Sequence, residues 1–246
     1  MGGLPHSHMN VLSLSNVLSF LNVLSFPRKR ESRFGFWIPA CAGMALLTLS
    51  VLAFAAGPDG IIAGSNYKDI EPPVPVEAAP GTVEVIEFLW YDCETCFVVE
   101  PTLARWLKEH AGQVTFKRVP AVVGSHMLYY ARVFYAAEDL GILDQIHMPL
   151  YEAIHREGRQ LGSDEEMAAF FAEHGVERGR FLSTFRNSVT ASKVRNAQIL
   201  TRRYDVAGAP TFVINGKYRV DPTMVPNAET LMQVVGYLVD RERGGK

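Results

Sequence analysis

The spacing of apolar and polar residues changes several times along this chain, and each change predicts an element. From Val83 to Trp90 apolar residues run almost unbroken, with Glu84 and Glu87 as the interruptions, the pattern of a central strand covered on both faces. From Cys93 to His110 the period lengthens to that of a helix, with Cys96, Val99, Leu103, Trp106, Leu107 and His110 on one stripe. Pro101 falls inside this helix and predicts a kink, because the apolar period continues past it, and Gly112 ends it. Val114 to Val119 reads as a second strand, parallel to the first by the β-α-β rule.

From Ser125 to Tyr204 the pattern is wholly helical. Ser125 is placed to cap a helix carrying Met127, Tyr130, Ala131, Phe134 and Ala137, and Ile146, Leu150 and Ile154 mark a second one interrupted at Pro149. Ser163-Asp164-Glu165-Glu166 is a capping box before Met167, Phe170 and Phe171; Phe181, Leu182 and Phe185 mark a fourth helix, and a longer fifth spans Ser188 to Tyr204. Strand character returns at Thr211 to Ile214, turns at Asn215-Gly216 and continues from Lys217 to Val220. A last helix, Asn227 to Asp240, puts Leu231, Val234, Val235 and Leu238 on one face. The lead-in, residues 57 to 81, is rich in Pro and Ala and holds at most one edge strand. The expected organisation is an α/β core in two parts, residues 56–121 and 206–246, interrupted by a helical domain at 122–205.

The chemistry lies where the first strand meets its helix, in Phe88-Leu89-Trp90-Tyr91-Asp92-Cys93-Glu94-Thr95-Cys96. Two thiols three positions apart on a first helical turn have their Cβ atoms close enough for one small, exchangeable disulfide. Unpaired N–H groups at the helix start favour thiolate at Cys93, which is therefore the expected nucleophile. Cys96 lies level with the apolar stripe and is the expected sheltered partner that resolves a mixed disulfide.

Composition narrows the reading. Residues 10 to 25 repeat Asn-Val-Leu-Ser three times and are expected to have no fold of their own. Arg28-Lys29-Arg30 and Arg33, an apolar stretch from Phe34 to Phe54, and Ala53-Phe54-Ala55 follow in the order of an export signal, with cleavage expected after Ala55. The same stretch is long enough to stay as a membrane anchor, and a start downstream, for example at Met44, is a further possibility. In either the cleaved or the downstream case Cys41 is lost, leaving Cys93 and Cys96. Of 24 Lys+Arg, four precede residue 56, and of 26 Asp+Glu only Glu31 does, so the remainder carries 20 against 25, a net charge of −5. That charge argues against a nucleic-acid partner. An exported protein with one C-x-x-C pair is more simply a redox catalyst than a disulfide-stapled scaffold.

Glu87-Phe88-Leu89-Trp90-Tyr91-Asp92-Cys93-Glu94-Thr95-Cys96 with Glu100-Pro101, joined to Gly208-Ala209-Pro210-Thr211-Phe212-Val213-Ile214-Asn215-Gly216, resembles the DsbA-like thiol:disulfide oxidoreductases of the thioredoxin superfamily. The resemblance spans roughly residues 67 to 241 and implies a thioredoxin fold with an inserted all-helical domain. It implies that Pro210 is cis beside the disulfide and that Ala209 offers its backbone to an extended substrate segment. It also implies that Glu87, buried below the cysteines, relays the proton of the buried thiol. Asp92, Glu94 and Thr95 depart from the Pro-His pair common between the family's cysteines, and the two added acids are expected to oppose the Cys93 thiolate and make the disulfide less oxidising.

The expected activity is donation of the Cys93–Cys96 disulfide to reduced or partly unfolded exported proteins in the periplasm, with no bound cofactor and, as the family resemblance implies, a quinone-linked membrane protein as reoxidant. Within the same chemistry the rival is an isomerase or reductase kept as a dithiol. Outside it the rival is a thioredoxin-like module that binds metal or peptide. His126, His147, His155 and His174 are scattered on amphipathic helices and read as solvated or core-edge residues rather than zinc ligands. Lys117 and Arg118 read as a solvated strand edge.

Overall fold

A computed structural model describes residues 60–244, so the export signal, the alternative anchor and Cys41 lie outside the described residues. Among the described residues no helix is long and apolar enough to cross a membrane.

Among the described residues five strands form one sheet in the order β1-β5-β4-β2-β3: β1 Lys68–Asp69, β2 Val83–Leu89, β3 Val114–Pro120, β4 Thr211–Ile214 and β5 Tyr218–Val220. Every residue of β2 is buried, as its near-continuous apolar run predicts. It pairs in parallel with β3 across helix α1 (Glu94–Glu109) and antiparallel with β4 on its other side. Alternation along β2 then separates two cores. Val83 and Val85 face a layer of α1 and α7 (Ala228–Glu242), meeting Val99, Leu103, Trp106, Leu231, Val234 and Leu238. Ile86 and Phe88 face the helices that follow β3, and Phe88 meets Tyr204 edge-on with ring centroids 5.8 Å apart. Complete burial of a side chain such as Phe88 or Phe212 stabilises by about 2–3 kcal/mol, so both layers are held strongly to the sheet.

Five helices lie between β3 and β4: α2 Leu128–Asp139, α3 Leu143–His155, α4 Asp164–Glu173, α5 Arg178–Arg186 and α6 Ser188–Arg203. The capping box forms as read, with the Ser163 hydroxyl accepting from the Glu166 N–H and the Glu166 carboxylate accepting from the Ser163 N–H. Two local expectations are corrected. Ser125 caps nothing: it begins a single 3-10 turn, Ser125–Met127, whose preceding residue is Gly124, which has no side chain to offer. Pro149 does not interrupt α3, because the carbonyl it leaves without a donor belongs to exposed Gln145, while Ile146, Leu150 and Tyr151 anchor the helix in the core.

The hairpin between β4 and β5 closes as a type I′ turn, with Asn215 at φ 50° and Gly216 at φ 65°. The Gly216 carbonyl accepts from the Val74 N–H at 2.9 Å, tying the lead-in to the sheet. A Cβ at Gly216 would collide with the Val74 carbonyl. Gly216→Ala is therefore expected to lower stability by about 2–3 kcal/mol, read as a lower urea midpoint with unchanged slope.

Candidate active site

Cys93 is the N-cap of α1, in extended conformation at φ −101° and ψ 108°, and its sulfur accepts from the Cys96 N–H at 3.2 Å. The cap position is normally held by an oxygen side chain; a sulfur there meets the same partial positive charge, and the attraction is strongest for the thiolate. Cys93 is partly exposed and Cys96 is fully buried. The Cys93 thiol is accordingly lowered from its ordinary range, first by the Cys96 thiol, against the opposing effect of burial, and further by the backbone N–H groups of Cys96 and Thr95. The Asp92 charge raises it by a smaller amount, in the direction read from the sequence; Asp92, Glu94 and Thr95 are all exposed, where solvent screens such charges. Cys96 is pushed far upward, chiefly by burial and then by the neighbouring Cys93 sulfur. One thiol is thus ready to ionise in reach of solvent, and its partner keeps its proton in the core.

Across the site, the Cys93 thiol donates to the Ala209 carbonyl at 3.2 Å, and the Ala209–Pro210 peptide is cis. Thr211 pins this loop by donating its hydroxyl to the Gly208 carbonyl at 2.8 Å. The loop and Thr95 line a shallow cavity that continues toward Arg219, Asp221 and Thr223. The residues that sequence reading assigned to disulfide exchange and to backbone pairing therefore meet in space, although 116 positions separate Cys93 from Ala209.

Glu87 lies in the middle of β2 with no exposed surface. Its register partner on β3 is Arg118, which donates from Nε to Glu87 Oε2 at 3.1 Å and from Nη2 to Glu100 Oε2 at 2.9 Å. This corrects the reading of Arg118 as a solvated edge residue: strand register turns it onto the same face as Glu87, and two buried carboxylates hold it there. Lys117, on the opposite face, is likewise engaged, with its ammonium 2.7 Å from buried Glu84. Burial, then the Glu100 charge, pushes the Glu87 carboxyl up to about 8 against the pull of Arg118, whereas His147 and Arg118 hold Glu100 below the usual carboxylate range despite burial. The Cys93 charge reaches Glu87, and the Glu87 charge reaches Cys96, so acid and thiols share one electrostatic environment.

Sequence reading did not pick out Glu100, Arg118, Tyr91 or His147 as site residues. A signal for Glu100 was available, since a carboxylate one turn beyond Cys96 falls on the buried stripe of α1. His147, read as solvated or core-edge, is 5% exposed and bonded on both ring nitrogens.

A thioredoxin-type sheet, an N-capping thiol with a buried partner one turn on, and a cis-proline loop against the reactive sulfur define a protein that exchanges thiols for disulfides. Residues 85–239 match the DSBA-like thioredoxin domain. The thiol:disulfide interchange protein DsbA of Pseudomonas aeruginosa is 36% identical over 198 residues, 80% of this chain and 93% of that protein. Its namesake in Azotobacter vinelandii is 35% identical over 205 residues, 83% of this chain and 95% of that one. The crystal structure of Pseudomonas aeruginosa DsbA superposes with TM-score 0.71 and 36% identity over 76% of this chain and 97% of that one, and the Xylella fastidiosa oxidoreductase DsbA with TM-score 0.69 and 32% identity over 75% and 98%. The chain belongs to the DsbA-like thioredoxin family, and its activity is thiol:disulfide interchange.

Proposed function

We propose that this protein donates the Cys93–Cys96 disulfide to reduced, partly unfolded exported proteins in the periplasm. The observation that carries this reading is the asymmetry of the pair: a partly exposed Cys93 whose thiolate is favoured, against the Ala209 carbonyl, with Cys96 sealed behind it. A client thiolate attacks the Cys93 sulfur; the Cys93–Cys96 bond breaks, and Cys96 leaves and takes the proton of Glu87, which is protonated near neutral pH. A second client thiolate then attacks the client sulfur, expelling the Cys93 thiolate. The client loses two electrons and the protein is left as a dithiol. Ala209 and Pro210 present backbone to an extended client segment, and Asp92, Glu94 and Thr95 tune the pair from outside. Reoxidation falls to a quinone-linked membrane protein docking at the same groove, and no cofactor besides the disulfide is required.

The test mixes oxidised protein with an unfolded peptide carrying two cysteines. One peptide disulfide per protein is expected from the wild type and none from Cys93→Ser; a peptide left reduced by the wild type overturns the reading. In intact cells, alkylation is expected to find the pair oxidised, and free thiols there would mean an isomerase or reductase instead.

A further inference from the structure

Helix α3 reaches the catalytic centre at two points. His147 Nε2 lies 2.7 Å from Glu100 Oε1 and its Nδ1 2.9 Å from the Tyr91 hydroxyl, while His155 Nε2 lies 2.8 Å from the Tyr91 carbonyl. Tyr91, two residues before Cys93, is therefore held at side chain and backbone by one helix. An ionised Glu100 only accepts, so His147 Nε2 donates to it, while the Tyr91 hydroxyl, kept protonated by burial, pairs with His147 Nδ1. Glu100 then has a donor on each oxygen, His147 on Oε1 and Arg118 on Oε2. Glu87 has a donor on Oε2 alone, and its buried Oε1 has no partner among the protein groups. The two acids share one arginine, and the one with the free oxygen is the one suited to carry a proton.

We propose that His147 is a positioning residue for disulfide exchange: by holding Glu100 on Arg118 it leaves Glu87, rather than Glu100, as the acid that exchanges its proton with Cys96. The inference rests on the reading of Glu87 given above. The charged and titratable groups around this pair are Cys93 and Cys96 from α1, Arg118 from β3, His147 and Tyr151 from α3, and Tyr91 from the turn before α1. Without the His147 donor, Glu100 binds a proton more readily; its charge no longer opposes ionisation of Glu87, and Arg118 is left to Glu87 alone.

The experiment mixes the reduced protein with oxidised glutathione and follows the second step. Cys93 thiolate first attacks one glutathione sulfur and releases one glutathione thiolate. Cys96 then passes its proton to Glu87 and attacks the Cys93 sulfur, releasing the second. The rate of that closure is expected to rise with pH through a midpoint near 8 in the wild type. His147→Gln, whose amide reaches Glu100, is expected to keep this midpoint. His147→Asn, whose shorter amide serves only Tyr91, is expected to lower it by about one pH unit. Circular dichroism confirms that both are folded, and because each keeps a polar group at Tyr91, loss of packing alone does not separate them. Equal midpoints in the two variants overturn the inference. Glu87→Gln separates the two layers of the reading. If it abolishes the midpoint while His147→Asn leaves it unmoved, the inference alone falls; if it retains the wild-type midpoint, the assignment of Glu87 falls and takes the inference with it.

Discussion

Cys96→Ser is expected to turn the protein from a turnover catalyst into a trap. Cys93 keeps its place at the helix start, its partial exposure and its contact with the Ala209 carbonyl, so it still attacks a client disulfide and forms a mixed disulfide. In the wild type that adduct is short-lived, because Cys96 sits one turn along α1 with its backbone N–H already on the Cys93 sulfur at 3.2 Å. A serine hydroxyl there neither ionises usefully nor forms a sulfur–sulfur bond, so intramolecular release is lost. Turnover is expected to fall by at least about 10³-fold, the usual scale for removing a reacting group. Covalent protein–client adducts should appear on non-reducing gels and disappear with dithiothreitol. Cys93→Ser is expected to lose turnover equally and to form no adduct, since Cys96 is buried away from clients. Adducts of equal yield in both variants would mean that Cys96 is also open to clients, and the assigned order of attack would be wrong.

The parts of this site that were legible in the sequence are those fixed by neighbours along the chain. Cys93 and Cys96 are related through a single helical turn, Ser163 and Glu166 through one capping box, and Asn215 and Gly216 through one tight turn. Each shows as a residue type at a short fixed spacing. Ala209 and Pro210 are far from the cysteines in sequence and became readable only through family resemblance. Beyond Glu87, the buried charges behind the disulfide were not legible, because each was judged alone. Arg118 looks solvated until the parallel register of β2 and β3 sets it beside Glu87. Glu100 vanishes from a stripe drawn through apolar residues only, and His147 meets it across 47 positions after the packing of α3 on α1 is known. The misreadings at Ser125 and Pro149 have the same origin. Residue type fixes a capacity to cap or to break a helix, but whether that capacity is exercised depends on which residue precedes the turn and on whether the orphaned carbonyl meets water.

The same buried acids give the fold a pH dependence with two opposing arms. Unfolded, the Glu87 carboxyl ionises near 4.5; folded, it is pushed up to about 8, first by burial and then by Glu100. Between those values the folded chain holds a proton that the unfolded chain has released, so the contribution of Glu87 is fully present below about 4.5 and is lost as pH rises toward 8. Glu100 has the opposite sign. Its carboxyl is held below the usual range by His147 and Arg118 against burial, so its contribution is present above the unfolded value and lost as pH falls. Glu87→Gln, which has no proton to lose and can still accept from Arg118, is expected to raise stability at pH 7 by about 2–3 kcal/mol and to flatten the decline toward pH 8. Glu100→Gln is expected to destabilise by about 3 kcal/mol at pH 7, because it replaces the ionised, buried partner of half-buried Arg118 with a neutral amide. Urea unfolding of both variants and the wild type at pH 5, 7 and 8, all as dithiols, checks the pair of signs. Parallel wild-type and Glu87→Gln curves would show that Glu87 ionises in the native state as it does unfolded. The site would then have no buried proton to give to Cys96, which requires that Glu87 keep its proton at an energetic cost to the fold as pH rises.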